Sequence, residues 1–324
     1  MHRSGNPGQL AVEERPMPDI EEGEVLLRIR ACGVCRTDLH VIDEELTPRH
    51  RTVVPGHQIV ADVVRSAGPP PAPAGARVGV SWLGGVDGTC SYCRSGRENL
   101  CDRPTFTGYD RDGGYAQFVT ARADFTIPIP ALLSDEQAAP LLCAGIIGYR
   151  ALRIAEVREG ENVGLYGFGA SAHLVAQVLR AWNCNVYVAT RGEEHRELAR
   201  SLGALWVGDA LEVPPNALDR AITFAPSGDV VVAALASLRK GGVLAINAIH
   251  LDRMPAFDYD RLLWGERQIR SVTNMTRADA CDFIELAAAI HIDASVTSYP
   301  LSDAAKALAD LRSDRISGAA VIIP

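Results

Sequence analysis

The sequence has no excess of positive charge and no long apolar run. Its 324 residues carry a formal net charge of −8, whereas proteins that bind a nucleic-acid backbone usually present a basic face. No apolar stretch reaches the roughly 20 residues that a membrane-spanning helix needs, and the start, MHRSGNPGQL, lacks the apolar region of a signal peptide. We therefore expect a cytoplasmic protein that binds neither nucleic acid nor membrane.

The chain contains regions of different periodicity. Hydrophobic residues make up 47% of the 324 positions, enough for two buried cores. Short alternating stretches such as EVLLRIRACGV predict a β-rich, barrel-like domain over residues 1–147. Alternating strand and helix patterns then predict a doubly wound parallel sheet over 148–273. A last segment, 274–324, is expected to pack back on the first domain.

A glycine-rich turn follows the predicted strand NVGLYG. It matches G-x-G-x-x-A, in which glycines allow a tight turn and the next helix offers its amides to a pyrophosphate. The motif alone would also suit a turn that binds no ligand. The predicted cofactor-binding residues of the turn are Gly167, Phe168, Gly169, Ala170, Ser171 and Ala172.

The end of the second strand of this region bears on the choice of cofactor. Thr190 and Arg191 stand where an acidic residue would bind the ribose of NAD, and a guanidinium suits the 2′-phosphate of NADP. This favours NADP(H) over NAD(H). A solvated Arg191 is the alternative, and Glu193 and Glu194 would repel a phosphate if they turned inward.

The eight cysteines are clustered in a way that favours metal binding over disulfides in a reducing compartment. Cys90, Cys93 and Cys101 have the C-x₂-C-x₇-C spacing of a structural zinc loop. A catalytic zinc needs three ligands and an open position, and Cys35, His57 and Cys143 could supply them. Their long spacing also permits ordinary packing roles, which we expect for the remaining cysteines, Cys32, Cys184 and Cys281.

Five motifs occur in one order: GVCRTDLH, GHQ, the cysteine-rich loop, CAGIIGY and GFGASA. In this the chain resembles, over nearly its whole length, the zinc-dependent alcohol dehydrogenases of the medium-chain dehydrogenase/reductase superfamily. The resemblance implies a GroES-like catalytic domain, a Rossmann cofactor domain, and reversible hydride transfer between a primary or secondary alcohol and NAD(P). It implies a homodimer or homotetramer, formed through the sheet edge around GGVLAINAIHL.

The resemblance also implies roles for single residues. Cys35, His57 and Cys143 would hold the catalytic zinc, and Asp38 would support the histidine. Thr37 and His40 would relay the alcohol proton outward. The resemblance further places Arg36 at the cofactor pyrophosphate, puts Asp87 where the structural site would have its fourth cysteine, and assigns to the neighbourhood of the nicotinamide Ala245, Ile246 and Asn247.

One residue departs from the pattern, and other functions stay open. Gln58 stands where the family often has glutamate, so a carboxylate cannot exchange onto the metal there. The alternatives are a zinc-free quinone or enoyl reductase of the same superfamily, a non-catalytic zinc protein that senses NADP(H), and a nucleotide-binding methyltransferase. Trp82 is expected either in the substrate pocket or in the core.

Overall fold

The computed structural model describes residues 2–3, 8–50, 52–69, 72–316 and 318–324. Their strands are β1 (His2–Arg3), β2 (Leu10–Ala11), β3 (Glu24–Val34), β4 (Gln58–Ala67), β5 (Arg77–Val80), β6 (Leu83–Gly85), β7 (Thr105–Phe106), β8 (Phe118–Arg122), β9 (Ile127–Pro128), β10 (Asn162–Tyr166), β11 (Asn185–Ala189), β12 (Trp206–Gly208), β13 (Leu218–Thr223), β14 (Leu238–Ile246), β15 (Gln268–Ser271), β16 (Val296–Pro300) and β17 (Ala319–Ile323).

The α-helices in the same described residues are α1 (Arg36–Ile42), α2 (Ser91–Arg94), α3 (Asp135–Pro140), α4 (Ile146–Ile154), α5 (Ala170–Ala181), α6 (Glu193–Ser201), α7 (Gly228–Ala236), α8 (Tyr259–Leu262), α9 (Arg277–Ala289) and α10 (Ala304–Arg312). A π-helical turn, Leu141–Gly145, joins α3 to α4. None of the described helices is long and apolar enough to cross a bilayer.

The first compact unit contains Met1–Ala144, Asn274–Ala288 and Asp293–Pro324. Its main sheet has seven strands in the order β16-β17-β3-β4-β5-β9, with β8 also paired to β3. β3 alternates buried apolar residues with exposed arginines at Arg28 and Arg30, because one face of the strand covers the core. The GroES-like, β-rich fold class is confirmed.

The second compact unit contains Gly145–Thr273 and Ala289–Ile292. Its six strands are all parallel, in the order β12-β11-β10-β13-β14-β15. The order reverses between β10 and β13, which is the switch point where doubly wound sheets bind ligands. The predicted Rossmann sheet is therefore confirmed.

The predicted edge of this sheet was wrong. We expected GGVLAINAIHL at the edge, but β14, which contains most of that sequence, pairs with β13 on one side and β15 on the other. The edge strand on this side of the sheet is β15. Its sequence, QIRS, is too short and too polar to be recognised as a strand.

A substitution at Leu165 tests which residues form the core of the second unit. It is fully buried in β10, so Leu165→Ala removes packed methyl groups and should lower the free energy of unfolding by about 2–5 kcal/mol. Leu205, in the same unit, is 65% exposed, and Leu205→Ala should leave the urea midpoint within error. Equal shifts of the urea midpoint for the two variants would contradict this placement of the core.

Candidate metal and cofactor sites

The first cluster starts where β3 ends and α1 begins. Cys35 is the N-cap of α1, and its backbone N–H donates to the Asp38 carboxylate over 2.8 Å. A carboxylate in the first turn satisfies a free amide and interacts favourably with the helix dipole. The helix thereby holds Cys35, Thr37 and Asp38 in fixed relative positions.

Three metal-ligating side chains meet here from distant parts of the chain. The ligand atoms of Cys35, His57 and Cys143 all lie within 4.8 Å of one another, and the two Sγ atoms are 4.0 Å apart. His57 precedes β4, and Cys143 lies in the π-helical turn. The Nε2 atom of His57 is buried and has no hydrogen-bond partner among the described residues. Two thiols and a free imidazole nitrogen are a donor set that suits zinc.

The Asp38 carboxylate connects this cluster. Oδ1 accepts from His57 Nδ1 over 3.1 Å and from the Gly56 amide over 3.2 Å. Oδ2 accepts from the Cys35 amide and, over 3.1 Å, from the Tyr115 hydroxyl. Since the carboxylate only accepts, Nδ1 of His57 carries a proton, and Nε2 is the nitrogen at which a metal ion would take the place of the second proton.

Charge in the cluster follows from these contacts. Burial lowers the pKa of His57, but the Asp38 carboxylate and the neighbouring Cys35 raise it, so that the pKa is about 10. The hydrogen bond with Cys143 lowers the pKa of Cys35 well below its ordinary range. The same bond raises the pKa of Cys143. Of the two thiols, Cys35 therefore loses its proton more easily than Cys143.

The other predicted residues of α1 have different surroundings. Thr37 is buried, with Oγ1 3.7 Å from Cys35 Sγ. His40 is partly exposed, and its Nδ1 contacts the carboxylate of Glu45. Arg36 is exposed and pairs with Asp314. Thr37 therefore lies beside the thiol, while His40 and Arg36 reach the solvent.

Gln58 and Trp82 flank His57. Gln58 is buried and lies over Gly33, its partner in the β3–β4 ladder, where a Cβ would come within 2.9 Å of the Gln58 amide carbon. The Trp82 ring meets the imidazole edge-on at 5.1 Å and stacks on Phe106 at 5.0 Å. Trp82 is partly exposed, so it belongs to the wall of this cluster and not to the deep core.

The second cluster is formed by the cysteine-rich loop. Ligand atoms of Asp87, Cys90, Cys93 and Cys101 lie within 4.8 Å of one another. Cys90 is the N-cap of α2. The Cys101 sulfur accepts from the amides of Asp87 and Arg103, each over 3.4 Å. Three thiols with amide donors and one carboxylate fit a closed four-coordinate zinc site.

Asp87 also shapes the turn of this loop. Its Oδ1 accepts from the amides of Thr89 over 2.8 Å and Cys90 over 2.9 Å, and the Cys90 and Thr89 amides lower the pKa of Asp87 below its ordinary range. Its other oxygen, Oδ2, lies 3.5 Å from the Arg103 guanidinium. Asp87 is therefore a charged carboxylate beside the three thiols.

An ion pair anchors the loop to α9. The Glu98 carboxylate accepts from the Arg277 backbone amide over 2.7 Å and from its guanidinium over 2.7 and 3.1 Å. The guanidinium also lies over the Phe125 ring at 4.5 Å. Sequence reasoning missed this pair because Glu98 and Arg277 are 179 positions apart.

The glycine-rich turn lies at the carboxyl end of β10, at the switch point of the parallel sheet. Gly167 has a φ of 87°, which favours glycine. Gly169 is the N-cap of α5 and has no atom within 4 Å of where its Cβ would be. Phe168 and Ala172 are buried, and Ala170 and Ser171 are partly buried. The open N-terminus of α5 fits a pyrophosphate.

Residues beyond β11 and β14 complete the predicted cofactor set. Thr190 is buried and Arg191 is exposed, and in the described part of the chain Arg191 pairs with no carboxylate. Glu193 instead binds Arg200 over 2.6 Å. Ala245 and Ile246 end β14, and the Asn247 amide donates to Thr223 over 2.8 Å.

Two further points differ from the sequence analysis. Cys281 is exposed on α9, next to Asp282, so its predicted packing role is wrong: the buried face of the helix carries Ala280 and Phe283 instead. Tyr115, which donates to Asp38, was also missed. The glycine pair that precedes it in the stretch Asp112-Gly113-Gly114-Tyr115 is the one sequence signal of a close backbone approach.

Comparisons with known proteins agree with this geometry. The family profile of the alcohol dehydrogenase GroES-like domain matches residues 21–131, and that of zinc-binding dehydrogenases matches residues 172–289. A Mycobacterium tuberculosis protein named "Probable alcohol dehydrogenase AdhA" is 49% identical over 315 residues, which cover 95% of this chain and 90% of the relative. A Geobacillus stearothermophilus alcohol dehydrogenase is 35% identical, covering 97% and 96%.

Solved structures show the same architecture. The cobalt- and zinc-bound thermostable alcohol dehydrogenase from Pyrobaculum aerophilum superposes with a TM-score of 0.87 at 25% identity, covering 99% of this chain and 98% of that one. These matches do not favour the alternative functions. The chain therefore belongs to the zinc-dependent alcohol dehydrogenases of the medium-chain superfamily, which are oxidoreductases acting on CH–OH groups.

Proposed function

We propose that the chain interconverts a primary or secondary alcohol and its carbonyl compound, with the catalytic zinc held by Cys35, His57 and Cys143. The observation that carries the ligand set is the buried Nε2 atom of His57, which lacks a partner among the described residues, on an imidazole with a ring nitrogen within 4.8 Å of both thiols. A buried nitrogen without a partner costs free energy unless a ligand satisfies it. When bound, zinc would supply a Lewis acid that lowers the pKa of the alcohol hydroxyl.

The residues of α1 are proposed to move the proton. The buried Thr37 hydroxyl, 3.7 Å from Cys35 Sγ, is placed to accept the alcohol proton. His40 is partly exposed and contacts Glu45, so it is suited to pass that proton to solvent. A nicotinamide bound near Ala245–Asn247 would accept the hydride of the carbinol carbon, which carries two electrons and one hydrogen. The second hydrogen is the hydroxyl proton that Thr37 is proposed to accept.

Asp38 is proposed to orient His57, and Gln58 is proposed to limit the metal ligands beside it to three. Asp38 holds the Nδ1 proton, which orients Nε2. Gln58 lies beside His57 but is a neutral amide, and it is proposed to keep the ligand set at three residues with no carboxylate exchange.

For the cofactor we propose NADP(H). Arg191 is exposed and pairs with no carboxylate among the described residues, while Glu193 is bound to Arg200 and so is held by another charge. A free guanidinium suits a 2′-phosphate. The pyrophosphate is proposed to bind at Gly167–Ala172 and Arg36, and the nicotinamide near Ala245–Asn247.

We also propose a structural zinc in the cysteine-rich loop, with Asp87 as the fourth ligand. The three thiols, the charged carboxylate and the amide donors to Cys101 support it. The division into domains 1–147, 148–273 and 274–324, a cytoplasmic location, and a homodimer or homotetramer are likewise proposals. The exposed edge strand β15 is a surface on which two copies could pair.

Cys35→Ser tests the catalytic ligand set. It should lower kcat by more than about 100-fold, because even partners of metal ligands contribute roughly 10- to 100-fold. The dissociation constant for NADPH should stay within about twofold, since the serine leaves the glycine-rich turn unchanged. Cys281→Ser, an exposed cysteine on α9, is the control and should retain activity. Comparable turnover in Cys35→Ser and the control would reject the assignment.

Arg191→Ala tests the cofactor preference. Loss of one charge-assisted contact should raise KM for NADPH by about 10-fold and leave KM for NADH unchanged. Arg180→Ala, an exposed arginine at the end of α5, should change neither constant. The proposed NADP(H) preference fails if the Arg191 variant weakens both cofactors equally.

Asp87→Asn separates ligation from turn formation. The amide oxygen of asparagine can still accept from the Thr89 and Cys90 amides, but the ligand charge is lost. If Asp87 binds zinc, elemental analysis after dialysis against a chelator should fall from about two zinc ions per chain to about one, and Asp87→Cys should restore two. Full retention by Asp87→Asn would mean that Asp87 only shapes the turn.

A further inference from the structure

The segment 112–115, which the proposed mechanism does not use, is bound along its whole length to the residues just before His57. The Gly113 amide donates to Val54 over 2.7 Å, that of Gly114 to Gly56 over 2.8 Å and that of Tyr115 to Pro55 over 3.0 Å. In return, the Val54 amide donates over 2.8 Å to the Asp112 carboxylate. Four hydrogen bonds therefore hold this segment against residues 54–56, which lead directly into His57 and β4.

The two glycines make this approach possible. A Cβ on Gly113 would lie 2.0 Å from the Gly56 carbonyl oxygen, and one on Gly114 would lie 2.6 Å from the sulfur of Cys32. Both distances are far below van der Waals contact. Because no side chain stands between the two segments, the Tyr115 ring reaches the interior against Gly56, whose own Cβ would lie 2.5 Å from it.

The Tyr115 side chain ends at the Asp38 carboxylate. The residue is completely buried, and its hydroxyl donates to Oδ2 over 3.1 Å. The other three donors to Asp38 are the amides of Cys35 and Gly56 and the imidazole of His57. A carboxylate offers about four lone-pair sites for hydrogen bonds. With the tyrosine hydroxyl as the fourth donor among the described residues, each of these sites on Asp38 is used.

We propose that Tyr115 is a positioning residue of the catalytic metal site and acts through Asp38. The hydroxyl fixes the rotation of the carboxylate. The carboxylate in turn orients His57 and the amide of Cys35, which belong to two of the three segments that supply the proposed ligands. Two amides and one imidazole would hold Asp38 less firmly, because Oδ2 of this fully buried carboxylate would then keep the Cys35 amide as its single donor among the described residues. This inference rests on the proposed ligand set Cys35, His57 and Cys143.

Tyr115→Phe tests the proposal in the full-length, zinc-loaded enzyme. The measurement is the rate of zinc release to the chromogenic chelator 4-(2-pyridylazo)resorcinol. Two proposed zinc sites should give two kinetic phases of release, and the phase that is absent in Cys35→Ser is assigned to the catalytic site. Release in this phase should become about 10-fold faster in Tyr115→Phe, the lower end of the effect typical of groups behind a metal ligand. The cobalt-substituted variant should also show a shifted visible spectrum.

Tyr299→Phe is the matched control. The Tyr299 hydroxyl also donates to a buried carboxylate, that of Asp310, over 3.0 Å, so the substitution deletes the same kind of bond in the same compact unit. Its zinc-release phase and cobalt spectrum should equal those of the wild type. An equal acceleration in both variants would show a general loss of stability and would overturn the positioning role.

A double-mutant cycle with Asp38→Asn shows whether the two residues act together. If Tyr115 acts through Asp38, the double variant should release zinc no faster than Asp38→Asn alone. Additive effects, or wild-type release by Tyr115→Phe, would overturn the proposal. Failure of the ligand set is distinguishable, because then Cys35→Ser itself would lose no zinc-release phase.

Discussion

The buried carboxylate of Asp38 is the constraint on which the cluster of Cys35, His57 and Cys143 depends. A charge without solvent must be matched by donors, and here each of its oxygens accepts from two groups. Those donors come from the start of α1, from the segment before β4 and from the loop before β8. Satisfying one anion therefore holds together three segments that are far apart in sequence, and two of them carry the proposed metal donors Cys35 and His57.

The two cysteine clusters both contain thiol ligands but differ in burial and in the groups that surround the thiols. Cys35 and Cys143 lie against a fully buried histidine and share one proton most easily as a pair. In the loop, Cys90 and Cys93 are partly exposed and Cys101 is buried, and backbone amides and a carboxylate lie beside these thiols. Three donors suit the proposed catalytic zinc and four suit the proposed structural zinc, because catalytic sites keep an open position and structural sites are closed.

Much of this molecule could be predicted from the sequence. Alternation in β3 and the glycine turn after β10 are local patterns, and they identified the two folds. The thiols of the loop are close in sequence, so their spacing was informative. Tyr115, Glu98 and Arg277 could not be found, because their roles depend on contacts across 77 or 179 positions. β15 was missed because its four residues, none of them fully buried, leave no hydrophobic period in the sequence.

The strand order of the first sheet affects how the chain can fold as it is made. β17 pairs with both β16 and β3, yet it is synthesised after every other strand of that sheet, whereas all six strands of the parallel sheet precede α9. The parallel sheet can thus be complete while Cys32–Val34, the part of β3 beyond the residues paired to β8, still lacks β17 as its neighbour. A nascent chain must keep the free edge of β3 from pairing with other chains until the last strand leaves the ribosome.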